Sequence, residues 1–240
     1  MTVCRLYDHP EMHAATGETI RPGGLALTDR AMRLCNFSRG ARILDVGCGM
    51  GATVAHLQQE FHIRAVGLDP SPSLPTQGTR LRPGLPLLRG RAEALPVGNR
   101  KMDGMICECV LSLVEDPPRA LSEYYRVLSP GGRLMLSDIY SKAFEVQTMI
   151  SKRAKTSCLD GAVSRKSIIE MVSSAGFRIL LWEDHTRLLA ELAARLIFEH
   201  GSLADFWQRI GLPSPETSDE TVCSKPGYYL MIAQKGETNE

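Results

Sequence analysis

With 240 residues, 43% of them hydrophobic, the chain is long enough for one large domain with a packed core. Its 28 basic and 27 acidic residues nearly cancel and form no Lys/Arg block, which argues against nucleic acid and for a small-molecule or protein substrate. No run of about eighteen apolar residues occurs and the start MTVCRLYDHPEMH is charged, so a soluble cytoplasmic protein without a membrane partner is expected; seven cysteines, without zinc-finger spacing, predict reduced thiols and no metal.

The predicted elements begin with an N-terminal helical arm over residues 1–39. Within it, 25–36 place Leu27, Ala31 and Leu34 on one helical face with Met32 and Cys35 beside it, after a break at RPGG (21–24). A core follows over 40–182. The apolar run into DVGCGMG is a first strand, a glycine turn and a helix start, and RAVGLD is a second strand closed by Asp69. The next crossover, SLPTQGTRLRPGLP, is too rich in proline and glycine for a long helix. Leu85–Leu88 offer a third strand, Met102–Val110 a fourth, 118–128 a helix stopped by SPGG, and Leu134–Leu136 a fifth strand leading to Asp138. Ser164 caps a helix carrying Ile168, Ile169 and Met171 that stops at Gly176, and FRILLW is the sixth strand. A long stretch then separates it from YYLMIA at 228–233. Leu188, Leu189, Leu192, Leu196, Phe198 and Trp207 give this stretch a helical pattern, so 183–222 reads as a helical cap or, alternatively, as an interface for a homo-oligomer or a satellite core, and 223–240 as the last strand and tail. The alternation predicts an α/β doubly wound, mostly parallel seven-stranded sheet with a helical insertion between the sixth and seventh strands.

Gly47, Gly49 and Gly51 leave no Cβ between the backbone and a ligand, so the turn before the first core helix suits a nucleotide. Gly47, Gly49 and Ala52 would also satisfy a dinucleotide fingerprint, but Asp45 on the lip of the loop would repel a pyrophosphate and attract the ammonium of a methionine moiety. Asp69 at the end of the second strand can accept both hydroxyls of a ribose. Through DVGCGMG, GLDPS, AEALP (92–96) and YRVLSPGGRLMLSD (125–138), residues 40–182 resemble the class I S-adenosylmethionine-dependent methyltransferases of the type 11 kind. The resemblance implies S-adenosyl-L-methionine as cofactor, contacted by Asp45, Gly47, Cys48, Gly49, Gly51, Asp69, Pro70, Arg91, Ala92, Glu93 and Glu108. Arg91 departs from the family, because it stands where an Asp would meet the adenine amino group; the backbone at Ala92 is left to meet the base edge.

Methyl transfer from a sulfonium needs alignment, and a general base only if the acceptor must lose a proton. Candidates for that base are Asp138, Glu108 and, if the arm folds over the cleft, Tyr7 or His9. The segment from Cys158 into SCLDGAVSRKSIIEMVSSAGF, and ECVLSL at 108–113, are similar to the arsenite methyltransferase branch. That similarity implies a second reading in which thiolates of Cys158 and Cys223 hold a soft metalloid, although the branch's adjacent-cysteine element is missing. Cys35 and Cys48 read as structural. A non-catalytic S-adenosylmethionine-binding protein and, more distantly, an NAD oxidoreductase complete the alternatives.

Overall fold

Consecutive residues of a strand face opposite sides of its sheet, so a strand buried on both faces must be apolar throughout. Ile43 and Leu44 on β1 (Arg42–Val46) are both fully buried in this way. The computed structural model describes residues 12, 17, 19–143, 155, 157–210 and 225–237. Its other strands are β2 (Arg64–Asp69), β3 (Leu87–Arg89), β4 (Met102–Glu108), β5 (Leu128–Ser141), β6 (Phe177–Asp184) and β7 (Pro226–Lys235). They form one seven-stranded sheet in the order β3-β2-β1-β4-β5-β7-β6. Only the pairs made by β7 are antiparallel; the other neighbours run parallel. The expected doubly wound, mostly parallel sheet is therefore the fold of the chain.

Helices cover both faces. On one, Leu27 and Ala31 of α1 (Gly24–Cys35) and Val54 and Leu57 of α2 (Ala52–Glu60) pack with Ile43, Ala65, Ile106 and Met135 of the sheet. On the other, Leu121 and Tyr124 of α4 (Pro117–Val127) and Ile168 and Val172 of α5 (Arg165–Ser174) pack with Leu44, Leu68, Met105 and Leu134. Ser164 caps α5 by accepting from Ser167 N–H (3.1 Å), as its sequence predicts. The crossover after β2 is short: α3 (Leu74–Leu81) has 8 residues.

Three local expectations shift. Leu34 is 42% exposed, because the buried stripe of α1 runs through Leu27, Thr28, Ala31, Met32 and Cys35 and leaves Leu34 at its edge. The third strand starts at Leu87 rather than Leu85; Pro86 has no N–H to donate and contributes only its carbonyl, which accepts from Gly67 N–H (2.9 Å). The helix that SPGG stops ends at Val127 as expected, but β5 is already under way there, so SPGG belongs to the strand that follows.

Between β6 and β7 lie α6 (Thr186–His200) and α7 (Leu203–Arg209). α6 joins the main core at its start, through Leu188 and Leu189, and beyond that the two helices build a cluster of their own. Leu196, Phe206 and Ile210 form a third cluster with Met12, and Ile20, Leu192, Leu203 and Trp207 pack around it. Leu188 Cδ1 sits so close over Gly23 that a Cβ there would approach it to 2.6 Å. The insertion is thus braced against the N-terminal segment just before α1. Phe198, by contrast, is 91% exposed. Among the described residues no helix is long and apolar enough to cross a membrane.

Candidate functional site

Open parallel sheets bind ligands beyond the carboxyl ends of their strands, at the point where strand order reverses; here that point lies between β1 and β4. Asp45, Asp69 and Glu108 stand at or beside the ends of β1, β2 and β4, while Asp138 lies inside β5, which runs on to Ser141 against β7 rather than ending at Asp138 as expected, and comes just beyond Ser137, the partner of Glu108. The turn between β1 and α2 is held by Gly47 N–H donating to Leu68 O (2.7 Å) and by Gly49 N–H donating to Asp69 Oδ2 (2.9 Å). Gly47 has φ 79°, and a Cβ on it would lie 2.1 Å from Val110 Cγ2, so this position admits only glycine. Gly49 differs: a Cβ there would meet nothing within 4 Å. Its backbone borders open space where a ligand can approach. Gly51, at φ 81°, is the N-cap residue of α2 and lies against Leu85 and Leu87.

Asp45 is the most unbalanced group in this bowl. Its carboxyl is buried, and Oδ2 has no hydrogen-bond partner. Burial pushes it up to about 8; the charges of Glu108 and Asp69 add to the rise and Arg21 opposes it. Asp69 is better satisfied, since Oδ1 accepts from Ser71 N–H (2.8 Å) as well as Oδ2 from Gly49. Pro70 lies between Asp69 and Ser71 in that turn. Cys48 is buried with its sulfur against Gly67, and burial pushes its thiol far up, which fits a packing role. Cys35, on the inner face of α1, is raised to about 11 for the same reason.

Glu108 does not stand free at the end of β4. Thr28 Oγ1 donates to its Oε1 (2.9 Å), and Arg21 Nη2 lies 2.9 Å from Oε2, an ion pair whose alignment leaves that oxygen without a directed hydrogen bond. Arg21 Nη2 also donates to Thr28 Oγ1 (2.6 Å) and Thr53 Oγ1 (3.1 Å), which ties the guanidinium to the first turn of α2. Its side chain is 9% exposed, and Nε has no partner. Arg21 is the residue of this bowl that the sequence does not announce. Its one trace is RPGG, an arginine opening the turn into α1, which reads as punctuation.

Asp138 is an anchor rather than an open base. It accepts from Ser112 N–H (2.9 Å), Ser112 Oγ (2.8 Å) and Ile139 N–H (2.7 Å), and burial pushes it up to about 6 against the pull of these donors. Lys155 Nζ donates to Ser112 O and Val114 O (both 2.7 Å), so the loop after β4 is clamped from two sides. Arg91 is fixed between Glu93 Oε2 (3.3 Å) and Glu115 Oε2 (2.7 Å), and Glu93 is thereby turned toward Arg91. Ala92 is buried beside them.

Cys109, just after β4, has φ 55°, an uncommon value for a residue with a Cβ. Its N–H donates to Ser137 O (2.7 Å), its sulfur lies 3.2 Å from Tyr228 Oη, and burial pushes its thiol well up. Charge on Cys158 pushes it further, which puts these two cysteines in each other's field. Cys158 starts a 3-10 turn, Cys158–Gly161, that docks through Gly161; a Cβ on Gly161 would come within 1.7 Å of Ser112 O. Cys158 packs against the cluster that includes Cys109, whereas Cys223, Tyr7 and His9 lie outside the described residues. No group of three or more metal-ligating side chains occurs among the described residues.

Residues 44–136 match the methyltransferase domain family. The demethylmenaquinone methyltransferase of Renibacterium salmoninarum is 29% identical over 158 residues, 64% of this chain and 65% of that protein. The arsenite methyltransferase of Halobacterium salinarum is 28% identical over 148 residues, 58% of this chain and 37% of that protein. Phosphoethanolamine N-methyltransferase 2 of Haemonchus contortus, solved in complex with S-adenosyl-L-methionine, shares the fold with a TM-score of 0.75 at 16% identity, covering 99% of this chain and 61% of that one. The matches thus span less than two thirds of each of these proteins.

Proposed function

We propose that this chain, whose residues 44–136 match the methyltransferase domain family, is a class I S-adenosylmethionine-dependent methyltransferase that methylates a small-molecule acceptor by in-line displacement. The observation that carries this reading is the unpaired Asp45 Oδ2, a buried acceptor on the lip of a glycine turn that is open at Gly49. An amino-acid ammonium supplies the missing partner and draws Asp45 into its ionised form, whereas a pyrophosphate would add a further negative charge beside Glu108 and Asp69, which already raise it. Asp69 fits the adenosine end, since its carboxylate closes β2 beside the glycine turn, where it can take ribose hydroxyls. Gly47, Cys48 and Gly51 shape the floor of the turn, and Pro70 and Ala92 border the adenosine side. Arg91 and Glu93 neutralise each other there. When bound, the cofactor supplies a methyl already activated on cationic sulfur. The residues of the chain then have only to align the acceptor and exclude water.

The state of the base candidates narrows the acceptor. Asp138 spends its lone pairs on Ser112 and Ile139, and Glu108 is held by Thr28 and Arg21. This favours an acceptor that attacks through a lone pair without giving up a proton in the same step, such as a thiolate or a neutral amine. Cys158 packs against the apolar cluster that contains Cys109, which supports a second reading, in which the acceptor is a soft trivalent metalloid held by those two sulfurs.

Titration calorimetry with S-adenosylmethionine and S-adenosylhomocysteine tests the cofactor, and mass-spectrometric detection of S-adenosylhomocysteine released with candidate acceptors tests the transfer. A folded protein that binds neither adenosyl ligand but is thermally stabilised by NADH overturns the reading. For the soft acceptor, arsenite methylation in the presence of thiol should be lost in Cys158→Ser; no turnover by wild type, or equal turnover by the variant, removes it.

A further inference from the structure

We propose that Arg21 and Asp45 form a receptor for the zwitterionic amino-acid end of the cofactor, Arg21 Nε donating to its α-carboxylate and Asp45 Oδ2 accepting from its ammonium; this rests on the S-adenosylmethionine reading above. Both atoms are buried, both lack partners, and they are of opposite polarity: one is a donor on a cation, the other an acceptor on an acid. Leaving either unsatisfied is costly, and a single zwitterion satisfies both.

Position supports the pairing. The guanidinium is fastened through Nη2 to Thr28, Glu108 and Thr53, and Thr53 lies in the first turn of α2, directly after the glycine turn that Asp45 precedes. Asp45 and Arg21 act on each other electrostatically across the bowl. A purely structural arginine, present to neutralise Glu108, would have no reason to be held so that Nε is buried without a partner. Because Nη2 makes the fixed contacts, Nε is offered without breaking any of them, and the carboxylate meets a donor already aimed and desolvated.

The segment that delivers Arg21 is itself held. Gly23 lies under Leu188 of α6, and Ile20 packs around the cluster of Leu196, Phe206 and Ile210. The insertion between β6 and β7 therefore positions this donor from outside the core.

The test uses ligands that differ only at the proposed contact. Wild type is titrated calorimetrically with S-adenosylmethionine and with decarboxylated S-adenosylmethionine, which keeps the adenosine, sulfonium and ammonium but lacks the carboxylate. Wild type should bind the decarboxylated ligand about 10- to 100-fold more weakly. In Arg21→Met the two ligands should bind within about threefold of each other, and Arg21→Lys should restore part of the difference. Equal affinity of wild type for the two ligands overturns the receptor, as does a discrimination that survives in Arg21→Met. Because the wild-type comparison needs no substitution, a variant that fails to fold leaves the test intact. Failure of wild type to bind either ligand overturns the cofactor reading itself.

Discussion

Proton release should accompany cofactor binding, because the group proposed to meet the ammonium is protonated before the ligand arrives. Asp45 is raised to about 8, by burial first, then by Glu108, with Arg21 opposing and Asp69 adding. At pH 7 roughly one site in ten would be ionised, and a cationic ligand selects that fraction. Affinity for S-adenosylmethionine should rise about tenfold per pH unit between pH 6 and 7.5, with about one proton released. Calorimetry in two buffers of different ionisation enthalpy reads the proton directly. Asp45→Asn, nearly isosteric and without a charge, should bind more weakly, release no proton and show a flat profile over this range. The same group bears on stability. Its folded-state value lies above its unfolded value of 3.8, so its stabilising contribution is complete below about pH 4 and is lost as pH rises through 8. Ligand-free Asp45→Asn should therefore outlast wild type in denaturant at pH 8, by up to a few kcal/mol as an upper bound. Wild-type binding that releases no proton and keeps one affinity from pH 6 to 7.5 would refute the assignment of Asp45.

Asp69→Ala removes the acceptor of Gly49 N–H and of the proposed ribose hydroxyls, so affinity for S-adenosylmethionine should fall about 10- to 100-fold. Calorimetry on a variant with an unchanged circular dichroism spectrum decides it. Gly47→Ala should be destabilised by about 2 kcal/mol or more, since its Cβ would enter Val110 and its φ of 79° disfavours any side chain. Adding Val110→Ala should recover the packing part only, and chemical denaturation of the two variants separates the terms.

The core of this fold was legible because its signals are local. DVGCGMG compresses a strand end, a turn that demands left-handed glycines and a helix start into seven residues, and Gly47, Gly49 and Gly51 all adopt positive φ. Asp45 and Asp69 could be placed because strand ends are fixed by the apolar runs before them. The status of Asp138 was not legible. A carboxylate on β5 looks the same in sequence whether its lone pairs are free or taken, and the donor that takes them, Ser112, lies on the loop after β4. Leu34 failed for a related reason: its helix period was right, but which edge of the stripe meets the sheet depends on how α1 docks.

Arg21 shows where this kind of reading ends. Its side chain reaches Glu108, 87 positions later, only because β4 ends beside the start of α1, and it is held there by an insertion that begins more than 160 residues along the chain. None of these separations leaves a periodic trace. The division has a consequence for the proposed function. Asp69 and the glycine turn belong to the sheet and would hold the adenosine end of the cofactor in any chain with this core. The amino-acid end is met by a residue from outside the core, held by Leu188 and the Leu196–Phe206–Ile210 cluster. Loosening that cluster, with no change in the sheet, should therefore weaken S-adenosylmethionine far more than 5′-methylthioadenosine, which shares the adenosine but has no amino-acid group.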